Sequence, residues 1–314
     1  MDTSEKCRRI RSWSIFDSER DSDLEINHRI YANETSQEGT DIVIGNFTDT
    51  GFTLTNQGNS NWNTTGDTFV YAAFADRPGN NWDVNNIVTN EGLTTSKTQF
   101  DVVTYTGNGG TQSIDSLSFQ PDFVWIKMRS AAAGHRLYDS VRGATKYLVS
   151  QGSDSEGTQS AGLTSFNSDG FTVGSNFDHN NNNSTFVAWC WKAGGTAVSN
   201  TDGSITSSVS ANAAYGFSIV SYSGDGSGTA NSDSGDSFGH GLNSAPKLVI
   251  CKKRTGTNSW PVYHASTDLG ALILDQTNAL DTTSFLFAKK HPTESVVYLG
   301  NNPEINKTGD DYIA

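Results

Sequence analysis

The stretch STFVAWCWKAGG, Ser184–Gly195, places two tryptophans around a cysteine in an unbroken apolar run, then stops on a lysine and two glycines. Read as a strand, it sets Phe186, Ala188 and Cys190 on one side and Val187, Trp189 and Trp191 on the other. Both sides are apolar, as in a central strand covered on both faces. The run is far shorter than the roughly 20 residues of a membrane-spanning helix. An aromatic ligand platform is the alternative reading of the same tryptophans. A redox role for Cys190 is disfavoured, because a related phrase has Ala73 at that place and no second thiol is near in sequence.

That related phrase is TFVYAAFADRPG, Thr68–Gly79, and the last residues, DYIA (Asp311–Ala314), match its start. Phe69, Phe186 and Tyr312 correspond, as do Val70, Val187 and Ile313. Upstream phrases keep the same order. TGFTLTN (50–56), DGFTVGS (169–175) and SVVYLGN (295–301) align, and so do WSIFDSER (13–20), HRLYDSVR (135–142) and WPVYHAST (260–267). FDVVTYTGNGG (100–110) matches FSIVSYSGDGS (217–227), and PDFVWIKMR (121–129) matches PKLVICKKR (246–254). The period is about 120 residues, too long for a solenoid repeat and right for tandem domains.

The expected division is a first copy over 1–79 that lacks its opening two phrases, a polar linker over 80–99 and a complete copy over 100–195. A second polar linker over 196–216 and a third copy over 217–314, stopping inside its last strand, complete it. Both ends read as cut, and the third copy is expected to leave a sheet edge open. Within a copy, six or seven short alternating runs are separated by Gly, Asn and Asp clusters. The expected fold is therefore all-β, with tandem β-sandwich domains.

The net charge of −13 disfavours nucleic acid as a partner. Cys7, Cys190 and Cys251 are too sparse for a disulfide framework and form no C-x-x-C pair. The N-terminal MDTSEKCRRIRSW has no apolar signal core. These features point to a protein made in a cytoplasm and not inserted in a membrane.

The phrases FNSDGFTVGS…FVAWCWKAGG, FSIVSYSGDG…FGHGLNSAPKLVICKKR and YDSVRGATKYL resemble a repeated domain of virion proteins of marine bacteriophages, regarded as tail-fibre-like or structural. The resemblance covers nearly the whole chain. It implies a location in the virion, a non-enzymatic structural role in a tail fibre or appendage, and contact with a host-surface glycan or receptor and with other virion proteins. It also implies similarity to jelly-roll, concanavalin-like or laminin-G-like sandwiches. Fibre proteins of this kind are expected to trimerise. The family brings no catalytic residues to carry over.

Asp139, Ser140 and Arg142 are read as a turn hydrogen bond or a surface ion pair, because nucleophilic catalysis would need a base in reach of the serine. The third copy departs here, with His264, Ala265 and Thr267 in place of the D-S-x-R residues. The oxygen-rich loop SGDGSGTANSDSGDS (223–237) offers Asp225, Asp233 and Asp236 as candidate calcium ligands, although it lacks the full D-x-D-x-D-G spacing. Trp62 and Trp82 lie among polar residues and are candidate glycan contacts. A calcium-assisted, lectin-like carbohydrate-binding module is the alternative function. A glycan-degrading enzyme would need a paired-carboxylate cleft, and no such pair recurs across the copies.

Overall fold

The computed structural model describes residues 12–21, 23–48, 51–55, 62–64, 66–74, 98–226 and 231–314. The chain is all-β. Its first segment holds Ser14–Ile15 (β1), Glu25–Tyr31 (β2), Gly39–Thr48 (β3) and Gly51–Leu54 (β4). The second holds Phe100–Thr106 (β5), Gln112–Ile114 (β6), Phe123–Met128 (β7), Arg136–Asp139 (β8), Lys146–Tyr147 (β9), Gly157–Thr158 (β10), Leu163–Asn167 (β11), Gly170–Val173 (β12), the short helix Phe177–Asn180 (α1) and Thr185–Trp191 (β13). The third holds Val198–Asn200 (β14), Ser207–Asn212 (β15), Phe217–Ser223 (β16), Asp233–Gly239 (β17), Leu248–Ile250 (β18), Lys252–Lys253 (β19), Pro261–His264 (β20), Ala271–Ile273 (β21), Val296–Gly300 (β22) and Asp311–Ile313 (β23).

The apolar run at 185–191 is a central strand. β13 pairs antiparallel with β5 on one edge and β7 on the other, in the order β5-β13-β7-β8. Phe186, Ala188 and Cys190 enter a core with Val103, Ile126 and Phe171. Val187 and Trp189 enter a different core. Two buried faces explain why the strand has no polar alternation.

The third segment repeats this order. β23 sits between β16 and β19, while β18 continues onto β20 and β21. The expected open edge is corrected by this strand. Tyr312 is fully buried, and Ala314 exchanges two backbone hydrogen bonds of 2.8 Å with Val220. Residues 196–216, expected to be a linker, instead carry β14 and β15, which extend the sheet beyond β16. Val209 alternates inward there, so three apolar or small residues suffice to hold an edge ribbon. Thr68–Phe74 carries the phrase of a central strand but belongs to no strand, because neither flanking phrase precedes it in the described residues of the first segment.

The three segments pack propeller-like around one shared core. It contains Ile30 and Ala32 from the first, Trp125, Val187 and Trp189 from the second, and Ile219, Trp260 and Ile313 from the third. A cyclic set of hydrogen bonds closes it. The Trp13 indole donates to Ile273 O at 3.1 Å, His135 Nε2 to Tyr31 O at 2.9 Å, and the Trp260 indole to Val149 O at 2.9 Å. The three donors occupy one place in the aligned phrases. The three acceptors are equivalent as well: each directly follows the residue that lies opposite Ile15, Leu137 or Val262. Each segment thus reaches into the next, first to third, third to second and second to first.

Two of the junctions share a second device. Lys127 Nζ donates to Met128 O at 2.8 Å and reaches Thr35 O, while Lys252 Nζ donates to Lys253 O at 2.9 Å and reaches Ser153 O. Arg129 pairs with Glu38, and Arg254 with Glu156, each at 2.9 Å. Arg20 and Arg142 approach the same two glutamates from within their own segments. Burial pushes both glutamate carboxyls up, but the facing guanidiniums outweigh it, so both sit below the ordinary value. The Asp17–Arg20 and Asp139–Arg142 pairs behind them are buried, which corrects the surface reading of the D-S-x-R phrase. The third segment has Thr267 at the arginine place, and its hydroxyl bonds within its own turn. The first-to-third junction therefore lacks this clamp among the described residues.

Glu156→Gln is expected to cost about 2 kcal/mol, less than a fully buried pair because Arg254 is partly exposed. Glu38→Gln should cost a similar amount, which urea unfolding of both variants will check. Very unequal losses would mean that the two junctions are not equivalent.

Candidate functional site

The C-terminal end of β13 builds a partly buried aromatic cluster against the shared core. Trp191 is its hub. Its ring lies 4.9 Å from Phe100, 5.2 Å from Phe123, 5.3 Å from Phe74 and 6.1 Å from Phe217, the last nearly parallel. Phe100 and Phe217 occupy the same place in the repeated phrases, as do Phe74 and Trp191, so all three segments contribute. Phe74 is 48% exposed, and the indole N–H of Trp191 is buried with no hydrogen-bond partner among the described residues. A buried unpaired donor costs about 1–3 kcal/mol, so a place that keeps one calls for an explanation.

Beside it in sequence, Lys192–Gly195 lines an open cleft of about 470 Å³ with Gln120, Asp122 and Ala211–Ala213. The Asp122 carboxylate shapes this turn. It accepts from Ala193 N at 2.8 Å, Gly195 N at 3.3 Å and the Ser140 hydroxyl at 2.9 Å. Gly195 has a φ of +76°, which explains a glycine at this place. The face thus offers aromatic surface, a lysine and backbone groups. It suits stacking and polar contact.

The most strongly shifted titratable groups lie elsewhere and hold the fold. His135 is fully buried, and burial with the nearby Lys127 lowers it to about 3. Its Nδ1 accepts from the Trp125 indole at 2.7 Å. His179 is likewise lowered to about 3 by burial and Arg136, and it bonds Tyr138 Oη and Asn176 Oδ1. Burial brings Lys127 and Lys252 down to about 8, but both serve the junction clamps. Cys190 is fully buried, and burial raises its thiol well above the ordinary value, the opposite of a reactive cysteine.

The residues singled out from sequence are dispersed. Trp62 donates its N–H to Ser14 Oγ at 3.0 Å, meets Phe16 edge-on and lies under the Arg29 guanidinium, as a packed aromatic beneath a loop. Trp82 lies outside the described residues. Asp225 occupies the place of Asn108, and the backbone N–H of each is held by a buried asparagine, Asn306 or Asn180, at 2.8 Å. A Cβ would fall 2.3 Å from Asn181 O at Gly107 and 2.5 Å from Lys307 O at Gly224, which accounts for the first glycine of both the GNG and the GDG turn. Asp233 pairs with Lys290 at 2.5 Å, and Asp236 accepts from Asn306 Nδ2 at 2.8 Å. Among the described residues no group of three His, Cys, Asp or Glu side chains is placed to hold a metal ion. No described helix is long and apolar enough to cross a membrane.

Residues 5–78 and 95–314 match a family described as a domain of unknown function, DUF7483. The chain belongs to this family. The DUF7483 match is interrupted where the sequence between the first two segments turns polar, and it runs unbroken through the second and third. No curated protein and no solved structure matches the chain. The sequence offered Trp191 of this DUF7483 chain only under the alternative, ligand-platform reading of its strand, and did not offer Phe74, Phe100, Phe123 or Phe217 beside it. The signal for the aromatic face was the recurrence of Phe100 and Phe217, and of Phe74 and Trp191, at strand ends that only the closed ring brings together.

Proposed function

We propose that this DUF7483 chain is a non-enzymatic component of a phage virion, part of a tail fibre or similar appendage that contacts the host surface. Its segments are read as tandem β-sandwich copies of about 120 residues, locked into a stiff body by the cyclic bonds and clamps. The observation that carries the adhesive part is the five-ring cluster around Trp191, exposed at Phe74 beside an open polar cleft. Exposed aromatic clusters mark contact surfaces more often than scattered apolar residues do. The virion setting rests on the resemblance of the repeated phrases, and homotrimerisation is proposed on the same ground.

A second reading, a lectin-like module for host glycans, draws on the same rings, since aromatic faces stack on sugars. The calcium part of that reading rests on Asp225, Asp233 and Asp236, two of which already have protein partners.

The test is binding of the full labelled chain to marine bacterial cells and to their extracted surface polysaccharide, with calcium and with chelator. Saturable binding to some strains is expected, weakened about tenfold by Phe74→Ala, as for an anchor aromatic at an interface. No binding to any strain would leave a spacer role and remove host contact. Loss with chelator would bring the acidic loop back as a metal site.

A further inference from the structure

Thr68–Phe74 repeats the phrase of β13 but not its surroundings. β13 is hydrogen-bonded along both edges. Thr68–Phe74 pairs with no strand among the described residues, and β1–β4 form a sheet without it. Its one backbone hydrogen bond among the described residues is at the Tyr71 carbonyl, which accepts from His264 Nε2 at 3.2 Å. Phe69 is 40% exposed and Tyr71 67%. Among the described residues, ring contacts touch the segment only at Tyr71, edge-on to Phe52, and at Phe74 on Phe100 and Trp191. Among the described residues, this apolar run of seven with strong strand preference thus has no strand partner, a state that sheet proteins otherwise protect.

The repeat itself shows what completes such a strand. In the second segment the β5 phrase FDVVTYT lies antiparallel to it, with Tyr105 opposite Phe186, Val103 opposite Ala188 and Asp101 opposite Cys190. Carried to the equivalent places, a β5-like strand would set its tyrosine opposite Phe69 and its valine opposite Tyr71. The chain's own versions of that phrase are already engaged. β5 bonds β13, and the Val102 N–H, which faces away from β13, is taken by the Asp101 carboxylate at 2.7 Å. β16 is paired on one side by β15 and on the other by β23.

We propose that Thr68–Phe74 is a docking strand, completed by strand addition from another polypeptide of the DUF7483 family through an extended segment with the F-x-V-V-x-Y alternation of β5. Main-chain hydrogen bonds would supply the affinity, and the alternating side chains the selectivity. The joined chains would form a head-to-tail contact between non-identical surfaces, which builds arrays rather than closed pairs. This inference does not depend on host contact and stands or falls separately from it.

The probe is a fluorescein-labelled peptide with the sequence of residues 98–108, titrated into the full chain and followed by anisotropy. Saturable binding is expected, with slowed hydrogen exchange at 68–74 in the complex. Ala73→Pro removes one amide donor from an exposed place that has no backbone partner among the described residues, so thermal unfolding should stay unchanged while binding falls by about tenfold or more. Absence of saturation up to about 1 mM would overturn the proposal. So would equal binding of a scrambled peptide, or undiminished binding by the proline variant.

Discussion

Trp260→Ala is expected to lower the unfolding free energy by about 3–5 kcal/mol, the range for removing a large aromatic from a well-packed core. The side chain is 4% exposed and belongs to the core that all three segments share. Its indole donates across the junction to Val149 O at 2.9 Å, and its backbone N–H is held by Asp275 at 2.9 Å. The Lys252 ammonium lies 5.9 Å from the ring centroid, so truncation also uncovers a buried charge. Trp260→Phe keeps most of the volume and loses the hydrogen bond, and it should cost only about 1–2 kcal/mol. Urea unfolding followed by tryptophan fluorescence and far-ultraviolet dichroism will separate the two variants. A loss below about 1 kcal/mol for the alanine variant would mean that the segments do not depend on one another for stability.

Acid should destabilise the protein well before its carboxylates titrate. His135 and His179 are buried neutral, and burial lowers both to about 3. Unfolded, each returns to the ordinary value near 6.5. Between those values the unfolded chain binds more protons than the native one, so stability rises with pH and is lost as pH falls through the window. At pH 4 the two shifts correspond to about 3 kcal/mol per histidine. Glu38 and Glu156, held low by arginines, add to the loss only below their ordinary range near 4.5. The interval from about pH 6.5 to pH 5 therefore isolates the histidines. His179→Gln should start less stable at neutral pH and show a shallower slope there, with His135 and His240, which burial also lowers, supplying the remainder. Denaturant midpoints across the interval will decide; a flat profile in the parent protein would mean that water reaches both rings in the native state.

Much of this architecture is legible in the sequence because it repeats. The alternation in TFVAWCW identifies a strand buried on both faces, and the structure places it between β5 and β7 with one core on each side. The D-S-x-R phrase is legible as an ion pair but not as a buried one. Its burial comes from Glu38 and Glu156, each of which also pairs with an arginine of the neighbouring segment. The polar run 196–216 reads as a linker because it is rich in Ser, Thr and Asn, yet neighbouring β16 supplies the hydrogen bonds that make β15 a strand. Edge-strand formation depends on the partner more than on propensity.

The site follows the same division. Trp62 attracts attention because its neighbours in sequence are polar, but in space it has Phe16, Arg29 and Ser14 around it. Trp191 reads as core and instead anchors the exposed end of the core, because its neighbours Phe74 and Phe217 come from other segments.

By itself the sequence determined the all-β class, the repeating phrases and the two-faced central strand, because these follow from side-chain periodicity and glycine placement within short windows. Only the tertiary structure decided that Trp13, His135 and Trp260 close a cycle, that Lys127 and Lys252 clamp two of its junctions, and that Thr68–Phe74 pairs with no strand among the described residues. Those outcomes depend on which backbone groups of one segment lie within hydrogen-bonding distance of another. That distance is set by how the three segments pack together, and no local pattern encodes it.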